Sequence, residues 1–333
     1  MQRGTSLTDL RAAHASPRIV RGEGTGDGFR HEALIYGDED EFLAAAHLFI
    51  ADALAAAEPV LVALGAGRAR SLKGSLGGDA GAAHFADMEA LGRNPARLIP
   101  AWRRFLCEHA PDGRSARILS EAAWPGRSSA ELGECSRYES LLDLAFEGGQ
   151  AWRLLCSYDA RAMPEDVIET VRATHRFILD GAESTLNDAL LDDRAPRPFD
   201  GVLPEPARAP EELRFTRESL HELREFVARS ARAARIGEER RENLQLAVNE
   251  LASNSVTHGG GEGRLRVWTE PGALVCEVSD SGRIEEPLVG RVHPATDQPS
   301  GRGLWLVNHL CDLVQIRSTP RGSVVRVQML ASG

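Results

Sequence analysis

Gln245-Leu246-Ala247-Val248-Asn249-Glu250-Leu251-Ala252-Ser253-Asn254-Ser255-Val256-Thr257-His258 is the run that decides the fold of the second half of the chain. Read as a helix, it puts Glu250, Asn254 and His258 at i, i+4 and i+8, one polar stripe along one side. Leu244, Ala247, Val248, Leu251 and Ser255 fall on the other side, a face fit for packing on a sheet. Downstream, Asp280-Ser281-Gly282 closes a strand-like run, Ala273 to Ser279. Gly301-Arg302-Gly303 then opens an apolar helical run that begins at Leu304. A carboxylate and an amide on a helix, an Asp-x-Gly turn and a Gly-x-Gly helix start, in this order, point to a nucleotide site.

Each residue type suits that chemistry. An Asn side-chain oxygen is a hard ligand for Mg²⁺, which keeps waters and bridges phosphate oxygens. A carboxylate one turn earlier can take a proton from an attacking hydroxyl or orient a water. The Asp280 carboxylate can accept from an adenine amino group, and Gly282 lets the backbone approach the base. Gly301 and Gly303 free the backbone ahead of a helix whose first amides can hold phosphate oxygens.

On these residues, the stretch from about 211 to 330 resembles the GHKL ATPase domain shared by histidine kinases, gyrase and MutL, and within it the anti-sigma-factor serine kinases. The resemblance implies an α/β sandwich that binds ATP and Mg²⁺. Glu250 and Asn254 match its N-box, with Glu250 as the base or serine-orienting group and Asn254 on the metal. Asp280 and Gly282 match the first glycine box. Gly301, Arg302, Gly303 and Leu304 match the second, and Gly322-Ser323 stands for a late Gly-Thr beside the adenine. His258 either approaches the phosphates or caps its helix before Gly259-Gly260-Gly261. The loop 283–300 lies where the family has its ATP lid, and Arg291 within it reads as a solvated loop charge, with a phosphate or partner contact as the alternative.

The chain has 333 residues, enough for two domains, and carries a net charge of −10. That balance argues against nucleic acid or an anionic membrane as a partner through bulk electrostatics. Five cysteines (Cys107, Cys135, Cys156, Cys276, Cys311) are widely spaced and odd in number, with no Cys-x-x-Cys. They read as free thiols of a reducing cytosol, forming neither a disulfide framework nor a zinc site. No secretory signal and no run of about 18 apolar residues is visible, which predicts a cytoplasmic protein.

Residues 1–27 read as a flexible tail, and 28–191 as an α/β domain with a mainly parallel sheet and helices on both faces. Strands are predicted at 32–36, 59–64, 83–86, 117–121 and 151–157, and helices near 39–57, 67–76, 95–110, 131–147 and 164–190. Gly65-Ala66-Gly67 sits where a P-loop would, but Arg68-Ala69-Arg70-Ser71 replaces the Gly-Lys-Ser/Thr of a Walker A motif. This first half looks like a P-loop-type domain without its nucleotide chemistry.

Its landmarks are His31, Tyr36, Glu121-Ala122-Ala123-Trp124-Pro125, Arg137-Tyr138-Glu139 and Cys156-Ser157-Tyr158-Asp159. They resemble the MEDS sensory domain, which implies a small-molecule ligand, with His31, Tyr36, Glu121 and Tyr158 as a sensory pocket. Five prolines mark 192–212 as a linker, and 213–331 is the ATPase domain.

His221-Glu222-Leu223-Arg224 looks like a phospho-acceptor motif. Only about thirty residues separate it from Glu250, enough for one helix and a turn. The missing dimerisation hairpin favours the anti-sigma kinases. That resemblance implies an anti-sigma factor with protein serine/threonine kinase activity, a partner switch in transcription regulation. Its partners would be a sigma factor and a STAS-type anti-anti-sigma protein, and a homodimer is compatible with it. A non-catalytic ATP-binding module and a ligand-sensing histidine kinase are the alternatives.

Overall fold

The computed structural model describes residues 28–180, 183–187, 199–294 and 301–331. The predicted tail, residues 192–198 of the predicted linker and residues 295–300 of the predicted lid lie outside them. The amino-terminal half is a seven-stranded sheet in the order β3-β2-β4-β5-β1-β6-β7. Its strands are β1 (Phe29–Tyr36), β2 (Val60–Leu64), β3 (His84–Asp87), β4 (Arg117–Ser120), β5 (Trp152–Asp159), β6 (Phe177–Asp180) and β7 (Glu183–Leu186). All neighbours pair in parallel except the last hairpin, β6–β7. Crossover helices are α1 (Glu39–Ala55), α2 (Ala66–Leu76), α3 (Met88–Leu91), α4 (Leu98–His109), α5 (Ser129–Glu139), α6 (Leu142–Phe146) and α7 (Glu165–Thr174). Both faces of the sheet are covered, by one apolar cluster around Trp102, Tyr138 and Leu154 and another around Phe42, Ile50 and Leu119.

Two helical expectations are corrected. The predicted helix 164–190 stops at Thr174, and the chain turns into β6 and β7. At His175 the backbone is extended (φ −110°, ψ 122°), and Phe177–Leu179 then adds to the open edge of β1. Pairing that edge overrides the helical pattern. The predicted helix 131–147 is two helices, α5 and α6, broken at Ser140-Leu141. α5 starts on a capping box, in which the Ser128 hydroxyl accepts from the Glu131 amide and the Glu131 carboxylate accepts from the Ser128 amide.

The carboxy-terminal half has strands β8 (Glu211–Thr216), β9 (Glu262–Glu270), β10 (Ala273–Asp280), β11 (Leu313–Thr319) and β12 (Gly322–Leu330), in the order β11-β12-β10-β9-β8. Every described pair in the sheet is antiparallel. Helices α8 (Leu220–Ala233), α9 (Glu238–His258) and α10 (Arg302–Leu310) belong to this half. Strand parity sorts the residues: Leu265, Val267, Leu274, Cys276, Val278, Val314, Ile316, Val325 and Val327 join the helices in one core. Leu244, Ala247, Val248 and Leu251 of α9 are buried in it, the face read from the sequence.

The opposite parity presents a polar face that is nonetheless covered. Glu277 lies between Arg266 (3.0 Å) and Arg326 (2.6 Å), and Arg266 also holds Glu205 at 2.5 Å. The incoming segment therefore crosses this face: Leu203 is buried, the Pro204 carbonyl accepts from Arg326, and the Phe199 carbonyl accepts from the Ser318 amide. A cleft of about 360 Å³ remains between α5, residues 202–204 and the outer side of β11 and β12.

The two halves are joined by buried polar contacts. Glu134 of α5 accepts from Arg317 of β11 at 2.9 Å and lies 3.7 Å from Arg291. All three are buried, so Arg291 is not the solvated loop charge expected from sequence. At the end of α10, the Asn308 carbonyl accepts from Asn94 (2.9 Å) and Arg97 (2.9 Å), and Arg97 also donates to the Cys311 carbonyl at 2.6 Å.

Removing one partner of a buried ion pair leaves an uncompensated charge, at a cost of about 3 kcal/mol. Glu134→Ala should lower the unfolding free energy by that order, bring down the urea midpoint, and separate the unfolding of the two halves into distinct transitions. A single transition at the wild-type midpoint would refute the contact's weight.

Candidate functional site

The polar stripe of α9 lines a cleft of about 470 Å³ between that helix, the end of β10 and the start of α10. Glu250, Asn254, His258, Asp280, Gly282, Gly301, Arg302, Gly303, Leu304 and Ser323 all line it, whereas Arg291 and His221 do not. Helical spacing explains the first three, and the sheet brings in the rest.

The Asp280 carboxylate is fixed at both oxygens: Oδ2 accepts from the Ser255 hydroxyl at 2.5 Å and Oδ1 from the Gly282 amide at 2.8 Å. Carboxylate lone pairs remain for a donor from the cleft. Ser255 was read only as part of the packing face. A serine among Leu244, Val248 and Leu251 was the available signal. Gly282 sits where a Cβ would come within 2.7 Å of the His258 carbonyl. Ser323 is buried and donates to the Gly282 carbonyl at 2.8 Å, so it braces the same turn from β12. His258 is exposed, the last residue of α9 before the Gly259 cap.

Gly301 has the left-handed φ of 95° that lets the chain turn into α10. At Gly303 a Cβ would lie 3.0 Å from Glu250 Oε2 and 3.2 Å from Asn254 Nδ2. Backbone there runs directly against the acid–amide pair. The first amides of α10 and a hard amide ligand therefore border one cavity, with an oriented carboxylate at Asp280. This donor set fits a nucleotide carried with a divalent cation.

In the amino-terminal half, strand parity divides the four expected pocket residues. Tyr36 and Glu121 belong to one face of the sheet, His31 and Tyr158 to the other. On the first face, the Tyr36 hydroxyl lies 3.5 Å from Glu121 Oε1. Arg68 pairs with Glu121 at 2.8 Å and reaches towards Asp159 at 3.8 Å. Arg68 thus occupies the strand ends where a P-loop domain would seat phosphate. Burial pushes the Glu121 carboxyl up to about 7, outweighing the pull of Arg68.

On the second face, Glu139 at the end of α5 is the hub. Its Oε2 lies 2.9 Å from His31 Nε2, 3.6 Å from Cys156 Sγ and 3.6 Å from His175 Nε2, and its Oε1 accepts from the Tyr158 hydroxyl at 2.8 Å. Burial holds His31 down to about 4 and His175 to about 3, and lifts the Cys156 thiol well above its ordinary value. Both imidazoles are neutral and the thiol is protonated. His175 was not singled out from the sequence, which gave it no motif or spacing.

Family models match both halves. Residues 30–176 match MEDS, the methanogen/methylotroph, DcmR sensory domain, and residues 213–329 match the histidine kinase-like ATPase domain. No curated protein matches the chain. Among solved structures, the RsbU and RsbW domains of a Mycobacterium tuberculosis protein align at 14% identity and TM-score 0.28, over 36% of this chain and 32% of that one. The Acinetobacter baumannii histidine kinase AdeS aligns at 10% identity and TM-score 0.24, over 37% of this chain and 68% of that one. The histidine kinase domain of the E. coli osmosensor EnvZ aligns at 18% identity and TM-score 0.23, over 38% and 92%. This chain spans about a third of the length of the first of these. No described helix is long and apolar enough to cross a membrane.

Glu121, raised from 4.5 to about 7, stabilises the fold in its protonated form; that contribution is complete below about pH 4.5 and is lost as pH rises through 7. A Glu121→Gln variant should therefore lose up to about 3 kcal/mol less stability than wild type between pH 4.5 and 7.5. Urea unfolding across that range measures it, and parallel curves for the two proteins would rule the assignment out.

Proposed function

We propose that this chain, a MEDS sensory domain followed by a histidine kinase-like ATPase domain, is a cytoplasmic anti-sigma regulatory factor. It binds Mg-ATP between α9 and α10 and controls a sigma factor, by sequestering it or by phosphorylating a serine of a STAS-type anti-anti-sigma partner. The observation that carries this reading is the approach of Gly303 to Glu250 and Asn254, which puts a base, a metal ligand and a phosphate-holding helix start at one point. Bound Mg-ATP would supply the transferable γ-phosphoryl group and neutralise the charge it carries.

The protein's own residues then have separate tasks. Asp280, already oriented by Ser255 and Gly282, accepts from the adenine amino group. Asn254 presents its amide oxygen to the metal. Gly301, Arg302 and Gly303 hold the phosphates through backbone and guanidinium, and Leu304 lies beside them on the cleft wall. Glu250 orients the partner's serine hydroxyl and takes its proton. Catalysis on this reading is positioning and electrostatics, with no covalent enzyme intermediate. His221 is exposed and bonds within its own turn, to the Glu218 carbonyl at 3.2 Å, as a surface residue would.

Control by the sensory domain rests on two contacts. Asn94 and Arg97 hold the carboxy-terminal end of α10, whose other end faces the cleft. Glu134 holds Arg291, in the loop after Gly282, and Asn308 donates to the Gly290 carbonyl in that loop at 2.9 Å. A loop ordered before the nucleotide arrives costs less entropy on binding.

Four measurements test the reading. Asn254→Ala should abolish Mg-ATP binding by calorimetry. Glu250→Ala should keep ATP affinity within a few-fold while lowering phosphate transfer to a captured partner by about a hundredfold or more. A label stable to acid and labile to base identifies phosphoserine, whereas tight ATP binding without transfer would leave a partner switch run by occupancy alone. Arg291→Ala should weaken ATP binding on the order of tenfold, about 1.4 kcal/mol, and an unchanged affinity would remove the loop contact from the control scheme.

A further inference from the structure

The geometry points to a buried transition-metal site in the sensory domain, formed by His31, Glu139, Cys156 and His175 and taking a divalent ion of the zinc class. The four come from four different elements: β1, the end of α5, β5 and the turn after α7. One ligand atom from each lies within 4.8 Å of all the others. Tetrahedral zinc with nitrogen, oxygen and sulfur ligands has edges of about 3.3–3.8 Å. The distances of 3.6 Å from Cys156 Sγ to His31 and to Glu139, and of 3.6 Å from His175 Nε2 to Glu139, are already of that size.

Three further observations single this cluster out from an ordinary buried polar network. The first is an orphaned lone pair. His175 Nδ1 lies 2.9 Å from the Val171 carbonyl, which can only accept, so the ring hydrogen is on Nδ1. Nε2 is then a bare acceptor, buried and without a hydrogen-bond partner, 3.6 Å from Glu139 Oε2. A cation placed between them would take up that lone pair. The second is charge. One thiolate and one carboxylate balance a divalent ion, so the loaded site is neutral in an apolar core.

The third is the outer support that metal ligands have. The Val171 carbonyl orients His175, and the Tyr158 hydroxyl orients Glu139 through the oxygen that does not face the cluster. Binding releases the Cys156 proton, so affinity rises with pH.

The test uses the full chain. After expression in zinc-supplemented medium and exhaustive buffer exchange, plasma mass spectrometry should find one equivalent of metal per chain. Protein unfolded with chelator and refolded with Co²⁺ should show the visible bands of tetrahedral cobalt together with a thiolate-to-cobalt charge-transfer band. Cys156→Ser should remove the charge-transfer band, and His175→Ala should bring the metal content below one-tenth of an equivalent. Tyr158→Phe keeps all four ligands and should weaken metal affinity by about ten- to a hundredfold.

Wild-type protein that is folded by circular dichroism, yet holds no stoichiometric metal and gives no cobalt spectrum, would overturn the site. So would full metal content in both Cys156→Ser and His175→Ala. If either variant fails to fold, the wild-type cobalt spectrum decides, because the charge-transfer band requires a cysteine ligand.

Discussion

The cleft between α9 and α10 depends on how α10 is held. At its start, Gly301 turns the chain in a left-handed conformation and Gly303 lies against Glu250 and Asn254 with no room for a side chain. At its end, the carbonyls at Asn308 and Cys311 are taken by Asn94 and Arg97 of the amino-terminal half. A cationic side chain on the last carbonyls of a helix satisfies acceptors that would otherwise be orphaned and opposes the negative end of its dipole. The helix that borders the cleft is thus completed by residues of the other sheet's half of the chain. Contacts from both halves therefore hold the cleft in its described geometry.

The same logic runs through the polar face of the antiparallel sheet. Arg266, Glu277, Arg317 and Arg326 alternate with the core residues and would face water in an isolated domain. Here residues 199–205 and α5 bury them. Buried guanidinium and carboxylate groups are costly unless paired, and each of these is paired. The match of charges across that junction fixes how α5 is seated, and through Glu134 it fixes the loop that carries Arg291.

Much of this was legible in the sequence where the signal is local. The i, i+4, i+8 stripe of Glu250, Asn254 and His258 and the two glycine turns needed only helical geometry and glycine chemistry, and they meet in one cleft. Signals that depend on parity or on distant partners were not legible. His31 and Tyr36 are five apart on one strand and so face opposite sides of the sheet; reading both as one pocket ignored the period of two. Arg291 looked like a solvated charge because its partner, Glu134, is more than 150 residues away in sequence. Zinc-type sites are sought by close spacing such as Cys-x-x-Cys, and that test cannot see His31, Glu139, Cys156 and His175, which only the fold assembles. The β6–β7 hairpin was missed because the vacant edge of β1, and not the local pattern, decides it.

The edges of the two sheets have a consequence for how these molecules behave in a crowd. β3 and β7 are four residues long, and β11 has residue 199 hydrogen-bonded alongside it. The edge strand β8 is longer, and Glu211, Glu212 and Arg214 put three exposed charges on it. Short, covered or charged margins deter the strands of another molecule from joining. Among the described residues, the sheet margins thus discourage strand-to-strand joining of one copy to another.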